Sequence, residues 1–458
     1  MVKMKFNILN KFDDHKKFLV GLPKIVQRLD YFRILYSPKE FSNELLYAIS
    51  RACNHICLVT LYLEGDQGGK KIIDALFRVK KIRPKIKIII LVDWHRARRG
   101  RIGSSKEYTN IDWYTDLVNK YPNTEIAIYG IPININEALG VFHLKGFIID
   151  DQILYSGASL SDEYLHINTK YRYDRYHIIR NRQLSNIMLD YIDKELLSSR
   201  VSNKLGCESS LSKLNKYRKN DVRLLRRNLR RVCYCYQGNA TFNELAIAPL
   251  VGLGKNSELN QAIYHLICSS KNKIILCTPY FNMPNVLINA LIYLLHKGRN
   301  IEIIVGDKIA NDFYIPSNKP FTLISVLPYL YELNLRYFLK KLQNYVDNKQ
   351  LTVRMWKEGN NGYHVKGIWV DDEWQLLTGN NLNPRSLRFD LENALLIHDP
   401  CKMLLNQNNK ELNTIRMHTS PIIHYTSLQH ISNYPVKVGQ FLHKIRKFRF
   451  DRLINRIL

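Results

Sequence analysis

His143-Leu144-Lys145-Gly146-Phe147-Ile148-Ile149-Asp150 and His364-Val365-Lys366-Gly367-Ile368-Trp369-Val370-Asp371 are two copies of one pattern, HxKGxxxD. Each is followed by a second aspartate (Asp151, Asp372) and then by a glycine among small residues. The continuations are Ser156-Gly157-Ala158-Ser159-Leu160 and Thr378-Gly379-Asn380-Asn381-Leu382. On an extended strand, residues i and i+2 share a face. His143 and Lys145 therefore project together while Leu144 turns to the core, and His364 and Lys366 do the same across Val365. Asp150 and Asp371 stand an odd number of positions from their histidines. They face the other way, which suits a supporting role better than direct reaction. One HxK is commonplace on a surface strand; two eight-residue copies at equivalent places in a repeat are not.

Outward from these motifs the two halves keep the same order of elements. In the first, a helical stretch Glu44–Ile49 leads to an apolar strand Ile56–Thr60, a helical period Ile72–Phe77 and a strand Ile86–Asp93. In the second, Ala262–Ile267, Ile274–Thr278, Val286–Leu291 and Ile301–Asp307 follow in the same sequence. Short β-branched strands alternating with helical periods predict an α/β fold with largely buried sheets, built twice by duplication. Between the halves lies a basic stretch, roughly residues 195 to 240. There Asp221 is a candidate cap for an arginine-rich helix Val222–Val232, read either as a solvated linker or as a contact for an anionic surface.

The chain has 458 residues, enough for two domains with sizeable cores. Its 68 Lys and Arg against 40 Asp and Glu give a formal charge of +28, which favours polyanionic partners: nucleic acid, anionic lipid or phosphorylated substrates. The 28 tyrosines are read mainly as core residues. Eight scattered cysteines, without paired CxxC spacing, indicate free thiols in a reducing compartment. The N-terminus lacks an apolar signal core, and no run of about 18 apolar residues suggests a membrane span. A cytoplasmic protein, or one resting on the inner face of the membrane, is expected.

Two imidazoles and two ammonium groups suit chemistry at a phosphodiester. One neutral histidine attacks phosphorus, and the other, protonated, serves the leaving group and then the acceptor. The lysines, taken as cationic, hold the non-bridging oxygens. This chemistry needs no metal or cofactor, and no Asp/Glu/His cluster suggests a metal site.

The paired motifs resemble the phospholipase D superfamily. That resemblance implies two α/β/α sandwich domains, with one active site at their pseudo-twofold interface and a phosphohistidine intermediate. Asn381-Leu382-Asn383-Pro384-Arg385-Ser386 is similar to the family's N-x-N-x-R-S continuation and puts Asn381 near the phosphate. The first motif departs from it, with Ser159 in place of that asparagine and no Arg-Ser, so the half-sites are unequal. By family habit His143 is the nucleophile. A carboxylate further along usually orients each histidine; Asp174, Asp390 and Glu392 are the candidates.

Three stretches narrow the resemblance: Asp93 to Gly103, Tyr171 to Tyr176, and Asp307 to Pro316. With the C-terminal ending, they resemble the phospholipase D-like bacterial phosphatidylserine synthases over nearly the whole chain. This implies CDP-diacylglycerol and L-serine as substrates, CMP as a product, a ping-pong route and net retention at phosphorus. Asp93, His95, Arg96 and Arg98 match the family pattern at a strand end, either holding the pyrophosphate or forming an arginine-rich surface loop. The expected division is a first phospholipase D-like domain 1–200, a basic linker 201–240, a second such domain 241–400 and a basic helical extension 401–458. The extension carries Lys444, Arg446, Lys447, Arg449, Arg452 and Arg456 near Phe441, Ile445 and Phe448. It is read as peripheral attachment to an anionic membrane surface, or else as a packed terminal helix. A phospholipase D-type nuclease is the rival reading, since the basic charge also permits non-specific nucleic-acid binding.

Overall fold

The strands His55–Val59 and Lys273–Thr278 lie near the middle of two mixed sheets that share one plan. The computed structural model describes residues 12–99, 108–121, 125–206, 216–316 and 319–447. The first sheet runs Asn203–Lys204, Ala127–Ile131, Lys87–Asp93, His55–Val59, Gly146–Ile149, Gln152–Ser156, Tyr176–Arg180 and Phe32–Leu35. The second contains the matching series Leu351–Trp356, Asn300–Gly306, Lys273–Thr278, Gly367–Val370, Trp374–Thr378, Leu391–His398 and Ala246–Leu253. Each sheet has three adjacent parallel strands, Ala127–Ile131, Lys87–Asp93 and His55–Val59 in one and Leu351–Trp356, Asn300–Gly306 and Lys273–Thr278 in the other. Each continues antiparallel from the strand that follows an HxK motif; in the first sheet Asn203–Lys204 adds an antiparallel edge. The expected α/β duplication is present.

The central strands read as unbroken apolar runs because both faces of each sheet are covered. Helices including Pro38–Arg51 and Gln67–Ile82 cover the outer face of the first sheet, and Glu258–Cys268 and Asn285–His296 that of the second. Three of these helices start on side-chain caps: Ser37, Asp66 and Ser257 each accept a backbone N–H of the first turn. The inner faces meet in a shared core. Phe142, Leu144 and Tyr155 from one half pack there with Ile247, Leu391 and Leu395 from the other.

The anticipated boundaries shift at three places. The helix Phe12–Gly21 and the strand Ile25–Val26 belong with the second sheet, not with a domain 1–200: Ile25 pairs with Ile247, and Leu19 joins the second domain's core. The basic segment 201–240 is not a free linker. Its helix spans Lys216–Leu229, so Asp221 lies inside the helix rather than capping it. Val222, Leu225 and Leu229, at helical spacing, are buried in the shared core, and their burial sets the helix position. Arg226 donates to the carbonyls of Ile133 and Phe389, one from each half.

Residues 401–447 are likewise integral to the second domain. Thr419–Pro421 forms an edge strand beside Leu351–Trp356. The helix Val436–Lys447 buries Val438 and Leu442 against Val326 and Tyr329, so this part of the extension is a packed helix. Residues 448–458, where Phe448 and the last basic residues fall, lie outside the described residues. Among the described residues the cysteines are free, and no helix is long and apolar enough to cross a membrane.

Candidate active site

Both HxK segments run just ahead of their strands, which begin at Gly146 and Gly367, and each pairs with the opposite half of the chain. His143 N–H donates to Leu391 O at 3.0 Å, and His364 N–H donates to Tyr173 O at 2.8 Å. The residue after each acceptor is a carboxylate aimed at the histidine. Glu392 receives His143 Nδ1 with both oxygens at 2.9 Å, and Asp174 Oδ2 lies 2.7 Å from His364 Nδ1. Each half thus supplies the histidine of one pair and the carboxylate of the other. Asp390, the third candidate, does neither: it accepts from Val141 N–H and pairs with Arg385.

The next residue along holds the lysine. Asn393 clamps the Lys145 peptide from both sides, accepting its N–H at 2.8 Å and donating to its carbonyl at 2.9 Å. In the other half Arg175 donates to Lys366 O, with its guanidinium paired to Glu411 and stacked 4.0 Å over Trp369. Asn393 and Arg175 escaped the sequence reading. The signal was their place directly after the orienting carboxylate in both halves.

All six charged groups are buried; His143 is 6% exposed, His364 7% and each lysine 1%. Burial and the nearby cations Lys145 and Lys366 hold His143 well below the ordinary histidine range. Burial and Lys366 lower His364 to about 4 despite Asp174. Burial opposes ionisation of Asp174, but Lys366 and His364 outweigh it and keep its carboxyl below the usual range. Burial also lowers Lys366 to about 8 and, together with Lys366, lowers Lys145 to about 7. Burial thus moves Lys145 furthest from the ordinary lysine range on which the expectation of cationic lysines rests. An anion between these groups would restore their protons.

Glu392 engages His143 through Nδ1, which leaves Nε2 for the site, whereas Nδ1 of His364 is met by Asp174, Lys366 Nζ and Tyr164 O–H together. Tyr164 O–H lies 3.2 Å from His364 Nε2, and Arg172 stacks on the tyrosine ring at 4.9 Å. No sequence pattern marked Tyr164. The short loops after the motifs differ in their relation to the cavity. Ser159 is buried and lines the cavity, whereas the buried Oδ1 of Asn381 has no hydrogen-bond partner among the described residues. Glycine is required in both loops by contact. A Cβ on Gly157 would come within 2.7 Å of Asp174, and one on Gly379 within 2.8 Å of Lys145.

Asp150 and Asp371 end the strands that the motifs begin, away from the histidines. Both have positive φ (51° and 54°), and each carboxylate gathers three backbone N–H groups: Cys53, Asn54 and His55 for one, Lys271, Asn272 and Lys273 for the other. They hold the turns before the neighbouring strands His55–Val59 and Lys273–Thr278, a supporting place in line with the strand parity.

The four residues after the strand Lys87–Asp93 separate. Asp93 is fully buried, caps Arg96 N–H and accepts Phe142 N–H at 2.8 Å, so it braces the residue before His143. Arg96 faces the cavity with Arg99, and Glu137 pairs with both. His95 hydrogen-bonds Asn134 O, and Arg98 stacks on Trp94; neither lines the cavity. The cavity itself, about 640 Å³, takes its wall from both halves and exposes His143, Lys145 and His364.

This arrangement has counterparts among known proteins. Residues 263–416 match the family model described as cardiolipin synthase, PLD-like domain. The CDP-diacylglycerol–serine O-phosphatidyltransferase PssA of Escherichia coli (strain K12) is 52% identical, over 98% of this chain and all of that protein. The chain belongs to the CDP-diacylglycerol–serine O-phosphatidyltransferase family. The Haemophilus influenzae member is 41% identical over 98% of this chain and its own full length. The crystal structure of phosphatidylserine synthase from Haemophilus influenzae Rd KW20 superimposes with a TM-score of 0.93, covering 98% of this chain and all of that one. The phosphatidyltransferase fold thus includes the N-terminal strand and the C-terminal elements that the sequence boundaries had set apart.

Proposed function

We propose that this chain transfers the phosphatidyl group of CDP-diacylglycerol to L-serine, giving phosphatidylserine and CMP. The observation that carries the reading is the crossed pairing of two buried histidines with two carboxylates around one cavity, in a chain whose relatives bear that name. Neutral His143, with Nδ1–H held by Glu392, attacks phosphorus through Nε2. The bond from phosphorus to the CMP oxygen breaks, and the His364 proton goes to the departing phosphate. Substrate negative charge raises His364 from its low value in the free protein, which makes that proton available. In the second half, L-serine gives its hydroxyl proton to His364 as its oxygen bonds phosphorus and the phosphorus–His143 bond breaks. Two inversions leave net retention at phosphorus. Lys145 and Lys366 stabilise the charge gathering on the non-bridging oxygens, with Ser159 and Asn381 beside them. Arg96 is the member of the 93–98 group that suits the diphosphate, joined by Arg99.

The lipid substrate calls for contact with a bilayer. Leu323 and Ile324, 64% and 43% exposed, follow a cavity-lining segment that ends at Lys319. With the basic surface they support peripheral attachment to the inner, anionic face of the membrane. The test is incubation with CDP-diacylglycerol in detergent micelles, with and without L-serine, following CMP and lipid products alongside DNA cleavage. Serine-dependent phosphatidylserine is expected. DNA cleavage without any phosphatidylserine would replace the reading with a nuclease.

A further inference from the structure

The two halves present corresponding loops to the cavity, and these loops place different charges on its wall. Each follows the second parallel strand of its sheet, Lys87–Asp93 or Asn300–Gly306, and each starts at an aspartate that caps the following turn: Asp93 for Arg96 N–H, Asp307 for Ile309 N–H. The first loop contributes Arg96 and Arg99 to the cavity wall; the second contributes the carboxylate Asp312 and, further along, Lys319. Cations suit the diphosphate of the donor. A carboxylate on the opposite wall has no such use and would repel it.

Asp312 is one of four acids lining the cavity, with Glu64, Asp66 and Glu163. Asp66 is taken up by the backbone N–H groups of Gly69 and Asp162, and Glu163 by Lys170 and Arg172. Asp312 Oδ1 lies 3.1 Å from Arg172 Nε, yet neither buried atom has an aligned hydrogen bond. Burial opposes ionisation of this carboxyl, but Arg172 and His364, with a hydrogen bond from Tyr280, hold it below the usual carboxylate range. The charge of Asp312 also raises the pKa of His364, opposite in sign to the effect of Lys366, and both Asp312 and His364 line the cavity.

The acceptor hydroxyl has to reach His364 to lose its proton. In a 2-amino alcohol the ammonium is one carbon away from the hydroxymethyl group, so it sits within roughly 4 Å of that hydroxyl. A group that recognises the ammonium must therefore line the cavity beside His364. We propose that Asp312 is the acceptor-specificity residue, receiving the ammonium of L-serine and setting its hydroxyl against His364. The inference rests on the phosphatidyltransferase reading above and adds the part of the site that selects the acceptor.

The experiment compares the full chain with Asp312→Asn and Asp312→Glu in CDP-diacylglycerol micelles. CMP release and lipid product are measured against L-serine, against 3-hydroxypropanoate, which lacks the amino group, and against water alone. For Asp312→Asn, the KM for L-serine should rise at least about tenfold, the loss expected for one charge-assisted hydrogen bond. The KM for 3-hydroxypropanoate should change by less than about threefold, and the ratio of serine transfer to hydrolysis should fall. Asp312→Glu should recover part of the serine KM. An Asn variant whose serine KM stays within about twofold of the parent, or whose three reactions fall together, overturns the assignment. If the parent protein itself makes no phosphatidylserine, the failure lies with the reaction and not with Asp312.

Discussion

The two half-sites are copies in backbone and opposites in bonding. Around His143 the carboxylate serves one partner: both Glu392 oxygens go to the imidazole, while Lys145 Nζ has no hydrogen-bond partner among the described residues. Around His364 one oxygen of Asp174 serves two, the imidazole at 2.7 Å and Lys366 Nζ at 3.5 Å; Lys366 Nζ also meets Nδ1, and Tyr164 O–H lies against the ring edge, 3.1 Å from Nδ1 and 3.2 Å from Nε2. The first half-site is thus a histidine held in one tautomer beside an uncommitted cation, which suits attack on an incoming phosphate. The second is an internally bonded network in which a proton can be held and returned. The two half-sites share one backbone plan and differ in Glu392 against Asp174 and Asn393 against Arg175, the differences on which the proposed division of roles rests.

Removing each histidine gives the largest effect and tests that division. His143→Ala should abolish transfer, with CMP release at background in a stopped assay. His364→Ala should retain a slow first step but lose about 10²–10⁴ in both half-reactions, the usual worth of a general acid–base. Complete loss of both steps in His364→Ala as well as in His143→Ala would remove the distinction.

Next come the carboxylates. Asp174→Asn should cost more than Glu392→Gln, because it disturbs His364 and Lys366 together. About 10³-fold against about 10²-fold in kcat is expected, read from steady-state rates. The reverse order would make the first half-site the more tightly coupled one.

The lysines give a pH signature. A cation is present below its pKa and lost above it, so kcat/KM for CDP-diacylglycerol should fall as pH rises through about 7, for Lys145, and further through about 8, for Lys366. The limb in kcat should lie higher, because bound phosphate stabilises both cations. A flat profile between pH 6 and about 9 would contradict the shifts on which this rests.

The smallest catalytic effect belongs to the conserved-pattern aspartates. Asp150→Ala or Asp371→Ala strands three N–H groups and forces alanine to positive φ, costing about 2 kcal/mol in urea unfolding. The folded fraction should keep kcat within about twofold. A large kcat loss with unchanged stability would return these residues to the chemistry.

The duplicated α/β plan was legible because buried strands show as apolar runs and the motif occurs twice. The side chains of His143, Lys145, His364 and Lys366 were legible from two-residue spacing, and Asp150 and Asp371 were set apart by the same parity. The crossing of the pairs was not. Nothing local to Glu392 says that it meets His143 rather than His364; that follows from Leu391 bonding to the chain at Val141 and His143. The same blindness to long-range pairing assigned Ile25–Val26 to the wrong sheet and treated Lys216–Leu229 as a linker. Tyr164 and Asp312 lie on irregular loops, where the sequence has no periodicity to announce which way a side chain turns.

The central claim is that the two half-sites act in sequence, with His143 carrying the phosphatidyl group. The direct measurement is rapid acid-free quenching of the enzyme with CDP-diacylglycerol in the absence of L-serine, followed by peptide mass spectrometry. A phosphatidyl adduct on the peptide containing His143, discharged by L-serine to phosphatidylserine, is predicted. An adduct on His364 would reverse the roles, and CMP release in step with phosphatidylserine without any adduct would contradict the covalent route.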